Sequence, residues 1–247
     1  MEARPLRRWT SWITLLALGA PALAQSGEPG GAAAGEAGGL MALFWSSADA
    51  FTGLIVLGSF IAVAVIVRGV LEIRQSRIMP AESIDEIRKR INRADWMGLR
   101  QFVESDDSFP GRVLAAAMGS TRGRASARDA AELTASEEAA RWFRRIEMLN
   151  VLGHLGPLLG LVGTVYGMIL AFAALGETGG QAGPGELSLG ISKALFHTFL
   201  GLLLAIPSLF AYGWLRTIAD RICTRAMVVS AELVDSLPDE VFERRGA

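Results

Sequence analysis

Cysteine is nearly absent: Cys223 is the only one in 247 residues. That excludes a disulfide framework and a cysteine-held metal cluster. Charge is also scarce, at 20% of residues against 51% hydrophobic, and the net charge is −1. A chain this apolar and this close to neutral is not disordered over most of its length. Its bulk charge gives no footing for nucleic acid. The mean hydropathy of +0.35 is too high for an ordinary soluble domain and too low for a chain lying wholly in a bilayer. Enzyme signatures are missing as well. There is no Gly-rich phosphate loop followed by Lys, no HExxH and no Gly-x-Ser-x-Gly. No strand pattern or internal repeat is visible. The expectation is a non-enzymatic, all-α protein with no cofactor and no metal site.

What is present is divided between lipid and water. Arg4, Arg7 and Arg8 precede a short apolar run, Ile13–Leu18, and then Ala22-Leu-Ala-Gln25. This is the pattern of a secretory signal peptide over residues 1–24, with an uncleaved anchor helix as the alternative. Residues 25–44 are a Gly/Ala-rich linker. Three further charge-free runs follow: Ala50–Val67, Met148–Gly176 and Ala194–Leu215. Each meets or exceeds the ~18 residues that a bilayer span needs. They predict transmembrane helices over 45–67, 148–175 and 188–215. Residues 68–147, 176–187 and 216–247 are the connecting and terminal segments.

Orientation follows from Lys and Arg. Fifteen lie between Arg68 and Arg145 and five after Leu215, while residues 25–49 and 176–190 hold none. The positive-inside rule makes 68–147 and the C-terminus cytoplasmic, and the linker and the 176–187 loop periplasmic. Helix one is expected to continue through Arg77 to Pro80. Ser83-Ile-Asp-Glu86 reads as a capping box, and Phe109-Pro-Gly111 as a break. A helix from about Ser126 should run unbroken into span two. Span three should continue to Pro238. Two helices would then project side by side into a cytoplasmic bundle. Residues 80–125 carry no interpretable motif.

The second span carries Gly153, Gly156, Gly160, Gly163 and Gly167, spaced so that they share one face. The third carries Ala194, Thr198, Gly201, Ala205, Ser208 and Tyr212 in a matching stripe. Small residues in this pattern let helix backbones approach closely. Pro157 interrupts the first stripe and predicts a kink. Thr164 and Thr198 fall at similar depth near mid-bilayer. A hydroxyl there either bonds its own i−4 carbonyl or lines a pathway. No Asp or Glu lies inside the three charge-free runs, so a proton pathway would need a carboxylate from another chain. The internal candidates are His154, near the cytoplasmic end of span two, and His197, which shares a face with Lys193 four residues before it. Histidine is the side chain whose charge most readily changes near neutral pH.

Gly156-Pro-Leu-Leu-Gly-Leu-Val-Gly-Thr164-Val-Tyr-Gly-Met168 resembles the second-helix signature of the MotA/TolQ/ExbB proton-channel family. Ile191-Ser-Lys-Ala-Leu-Phe-His-Thr198-Phe-Leu-Gly-Leu-Leu-Leu-Ala-Ile-Pro207 resembles its third-helix signature. Three spans with an outer N-terminus fit the ExbB/TolQ branch better than the four-span MotA branch. The resemblance implies a bacterial inner-membrane protein that forms a pentameric ring around single-span ExbD/TolR-like partners, which carry the essential Asp. It implies that Thr164 and Thr198 line the pore. It also implies that proton flux drives a TonB/TolA-like periplasm-spanning protein, for outer-membrane transport or envelope maintenance. Lys193 stands where the family often has Glu, and His197 where it often has a small residue or Thr. The alternative is a non-conducting membrane scaffold that uses the same stripes only to assemble helices.

Overall fold

The computed structural model describes residues 45, 47, 49–120, 122–177 and 184–242. The expected signal peptide and the whole of the expected linker lie outside the described residues, as do residues 178–183 of the loop. Every described element is helical. Three helices are long and apolar enough to cross a membrane. All described residues belong to one compact unit, Leu43–Ala247.

The first apolar helix, α1, is Ala50–Glu72. Its start is set by Asp49, whose carboxylate accepts the Thr52 N–H at 2.9 Å, an N-cap of the preferred chemistry. The expected span began earlier, at residue 45, and the expected helix ran on to Pro80. The chain instead leaves helical geometry at Ile73 and is extended at Arg74, φ −132°. No Pro or Gly marks that point. Ile73 is 4% exposed, so burial of its side chain accompanies the turn.

Short helices follow: α2 Gln75–Ile78, α3 Ala81–Asn92, α4 Trp96–Ser105 and α5 Phe109–Gly119. Pro80 precedes α3, and no side chain caps it. Ser83 therefore lies inside the helix, and the expected capping box does not form. Pro80 stands in extended geometry just before the helix, which begins at Ala81, two residues ahead of Ser83. Asp95 caps α4 through the Gly98 N–H, 3.0 Å, and Ser108 caps α5 through the Gly111 N–H, 3.1 Å. The break expected at Phe109-Pro-Gly111 thus falls just before it. Pro110 sits in the first turn of α5, where its missing N–H is harmless.

α6 is Arg124–Arg144 and α7 is Glu147–Glu177. The sequence predicted one continuous helix here. The structure has an elbow at Arg145-Ile146. The Arg145 guanidinium stacks 4.1 Å from the Trp142 ring centroid, and the Arg216 guanidinium lies 3.8 Å from that of Phe143. Ile146 is fully buried. Cation–π contacts and burial redirect the chain where no helix breaker stands.

α8 is a single helix from Pro184 to Asp235, 52 residues. The uninterrupted run beyond Leu215 was expected from its lack of Pro and Gly. α8 packs chiefly on α7, and also on α1, α6 and α5. Below the apolar part, Ala127, Ala131, Ala135 and Ala139 of α6 are buried, as are Ala219, Cys223, Ala226 and Ser230 of α8. The spacing of four residues in α6, and of four, three and four in α8, puts each set on one helix face, and small side chains there permit close packing. Large apolar side chains on the outer faces of α1, α7 and α8, including Phe60, Leu161 and Phe210, are exposed, as lipid- or partner-facing surfaces require.

Candidate functional site

The glycine stripe of α7 lies against α8. A Cβ on Gly153 would stand 2.5 Å from the Leu209 side chain, and one on Gly156 would stand 2.7 Å from the Gly201 carbonyl oxygen and 3.4 Å from Ala205 Cβ. One on Gly160 would stand 2.9 Å from both the His197 carbonyl oxygen and Thr198 Cα. On Gly163 it would meet the His197 ring at 2.7 Å, and on Gly167 the Ala194 Cβ at 3.0 Å. The seam between the helices therefore has no room for side chains on α7 at these positions.

That closeness brings Thr164 and Thr198 together. Their hydroxyls are hydrogen-bonded to each other. Thr164 Oγ1 is also 3.0 Å from the Gly160 carbonyl oxygen and 3.1 Å from that of Ala194. Thr198 Oγ1 is 3.3 Å from the Gly160 carbonyl oxygen. The i−4 bond expected of a transmembrane threonine is present at Thr164, but it does not exhaust the contacts. Two hydroxyls own two protons, and two chains of donation are open to them. In one, Thr198 donates to Thr164 and Thr164 to a carbonyl. In the other, Thr164 donates to Thr198 and Thr198 to Gly160. A pair that can reverse its polarity by rotating two O–H bonds has the hydrogen-bonding property a proton relay needs.

His197 is 2% exposed and is pinned at both nitrogens. Nδ1 is 2.8 Å from the Lys193 carbonyl oxygen. Nε2 is 3.0 Å from Asp49 Oδ1 and 2.9 Å from Oδ2. Asp49 borders the first charge-free run. His197 lies nine residues inside the expected third span, about 14 Å along the helix. Asp49 reaches the same level because α1 begins there. The three charge-free runs still hold no carboxylate, but the fold brings one from the border of the first run, Asp49, to His197. Nothing in one sequence pairs two residues 148 positions apart; the only signal was that Asp49 is the last charge before a span.

Lys193, Asp49, His197 and Tyr166 line a cavity of about 430 Å³, together with Ser47 and the α7/α8 backbone at Gly167 and Gly190. Phe51 packs on Tyr166, ring centroids 5.5 Å apart, and holds the start of α1 against α7. At the other end of the seam, Glu147 accepts from Asn150 Nδ2 at 2.9 Å and from the Tyr212 hydroxyl at 3.3 Å. These residues were not among the sequence candidates for an ion pathway. His154 stands apart, exposed, with Nδ1 2.8 Å from the Asn150 carbonyl oxygen. No cluster of metal-ligating side chains occurs among the described residues.

Residues 105–227 match the MotA/TolQ/ExbB proton channel family. The chain is 36% identical over 93 residues to "Biopolymer transport protein exbB1" of Vibrio cholerae, covering 38% of this chain and 41% of the relative. It is 38% identical over 72 residues to "Biopolymer transport protein ExbB" of Aquifex aeolicus, covering 29% and 48%. It is 36% identical over 84 residues to "Tol-Pal system protein TolQ" of Haemophilus influenzae, covering 34% and 36%. The matched stretches span less than half the length of each of these relatives. The stretch from α4 into α8, which includes both threonines, belongs to the MotA/TolQ/ExbB proton channel family, on its ExbB/TolQ branch.

Proposed function

We propose that this chain is a non-enzymatic subunit of an inner-membrane energy-transducing complex and conducts protons along the α7/α8 seam. The observation that carries this reading is the hydroxyl pair Thr164–Thr198, hydrogen-bonded between two apolar helices and able to donate in either direction. The pathway residues are Thr164, Thr198, His197 and Lys193. The glycines of α7, with Gly201 and Ala205, keep the helices close enough for the hydroxyls to meet. In this reading the N-terminus is periplasmic and the C-terminus cytoplasmic. Supporting that orientation, Arg145 and Arg216 stack on aromatic rings where α7 begins, at the Lys/Arg-rich end.

The chain would work as a homo-oligomer, a pentamer by family resemblance. Its partners would be an ExbD/TolR-like single-span protein bearing a membrane Asp and a TonB/TolA-like periplasm-spanning protein. The names of the relatives, biopolymer transport and the Tol-Pal system, support outer-membrane transport or envelope maintenance as the task.

The test is proton flux. The protein is reconstituted in liposomes with its ExbD/TolR-like partner, and internal pH is followed by a dye under an imposed gradient. Flux is expected with the partner present, and it should fall to the level of empty liposomes when Thr164→Ala and Thr198→Ala are combined. Flux undiminished in that variant overturns the pathway. No flux from the native complex favours the scaffold reading.

A further inference from the structure

We infer that Asp49 and His197 form a proton-binding site belonging to this chain, placed to load the Thr164–Thr198 seam from the cavity; as a loading station it rests on the conduction reading above. The argument begins with the ring nitrogens. A carbonyl oxygen can only accept, so the 2.8 Å contact with the Lys193 carbonyl requires the hydrogen on Nδ1. Nε2 then faces both Asp49 oxygens at 2.9–3.0 Å. Without a further proton, a lone pair would meet a carboxylate at hydrogen-bonding distance. One proton between Nε2 and the carboxylate removes that repulsion and neutralises the pair. The site thus exchanges a single proton with water in the cavity: the pair carries one negative charge when empty and none when loaded.

The surroundings suit such an exchange. The titratable side chains lining the cavity are Asp49 from the start of α1, Tyr166 from α7, and Lys193 and His197 from α8. The Lys193 ammonium adds positive charge to the cavity. Ser47 Oγ is buried, has no hydrogen-bond partner among the described residues, and belongs to the same cavity wall. It offers a hydroxyl to water there. On the seam side, His197 packs its ring on Gly163 and its carbonyl on Gly160, and it is the chain neighbour of Thr198. The ring and the hydroxyl pair thus both pack on the Gly160–Gly163 stretch of α7.

The experiment has two arms. In the first, His154→Gln leaves His197 as the only histidine, and nitrogen-15 NMR of the ring is recorded in lipid bilayers as pH is varied. Nδ1 is expected to stay protonated throughout. Asp49→Asn should lower the proton affinity of Nε2 by at least about tenfold, the effect of removing an opposite charge at this range. Asn caps helices about as well as Asp, so α1 should still start in place. Unchanged titration in Asp49→Asn, or a ring protonated at Nε2 with Nδ1 bare, overturns the site. In the second arm, proton flux is measured with the partner. Asp49→Asn and His197→Gln should each reduce flux at low outer proton concentration and recover at high concentration. Flux in these variants equal to that of the native protein at every pH overturns the loading role. Failure of the conduction reading is distinguished by the native complex, which would then pass no protons while the NMR titration still reports the pair.

Discussion

Arg145 reaches from the α6–α7 elbow to Glu72 at the last residue of α1, Nη1 to Oε2 2.7 Å. Glu72 is also held by Arg68, 2.9 Å away. One guanidinium therefore stacks on Trp142 and ties the base of the first apolar helix to the base of the second. Both partners are less than a third exposed. Charge-assisted bonds in such settings contribute about 1.5–3 kcal/mol. Glu72→Gln and Arg145→Ala should each lower thermal stability in detergent. A double-mutant cycle should return a coupling of about 1–2 kcal/mol, and strict additivity would refute the link.

Glycines in the α7/α8 seam should differ sharply from glycines elsewhere. Gly160→Leu pushes a side chain against α8 backbone and should destabilise the protein by about 2–3 kcal/mol. Gly213 of α8 has nothing within 4 Å of a Cβ. Gly213→Ala should be neutral, or stabilising by up to about 1 kcal/mol through helix propensity. Thermal unfolding of the two purified variants checks this, and equal effects would contradict the packing described.

Cys223 lies beyond Leu215, where the charge-free run ends. Burial pushes its thiol up from 9.0 to about 11, with Asp220 and Glu138 adding to the effect. The thiolate is the reactive form. At pH 8 the shift leaves about 100-fold less of it. Alkylation of the folded protein by a maleimide should be slower by at least that factor than alkylation after denaturation. The sign for stability follows. Because the folded thiol binds its proton more tightly than the unfolded one, this group destabilises the fold as pH rises above about 9. Comparable rates in the folded and denatured protein would show that the α6/α8 interface is open.

Arg124 gathers the end of the chain onto the start of α6. It is bonded to the Asp239 carboxylate and the Leu237 carbonyl, and it lies 5.6 Å from the Phe242 ring centroid. Its neighbour Arg128 holds Asp235 at 2.7 Å. Arg124→Ala should speed amide exchange across residues 236–242 by about tenfold, the equivalent of about 1.4 kcal/mol of local stability. Exchange in α7 should not change. Uniform acceleration across the chain would mean that Arg124 supports the whole fold rather than its end.

The sequence was most informative where one periodicity dominated. The glycine stripe of α7 and the polar stripe of α8 were visible as helix faces, and the structure sets the two against each other. The run of α8 beyond Leu215 was legible because no Pro or Gly stands there before Pro238. The misses came where tertiary contacts override local signals. No Pro or Gly marks the elbow at Arg145-Ile146; stacking on Trp142 and burial of Ile146 make it. Ser83 had capping-box spacing, but the helix starts earlier, at Ala81. Asp49 lies just outside the first charge-free run, and the sequence does not say that the start of α1 sits level with His197 of α8.

The unbroken course of α8 also has a mechanical meaning. Pro207 is the one proline within its 52 residues past the first, and from Pro207 to Asp235 the helix extends about 42 Å. Thr198 and His197 lie on one side of that proline, and the α6 interface lies on the other. A tilt of about 5° at Pro207 would move the far end by about 4 Å, most of a helical turn. The same element that carries the Thr198 hydroxyl is thus long enough to act as a lever arm, turning a small adjustment near the seam into a displacement of several ångströms at its far end.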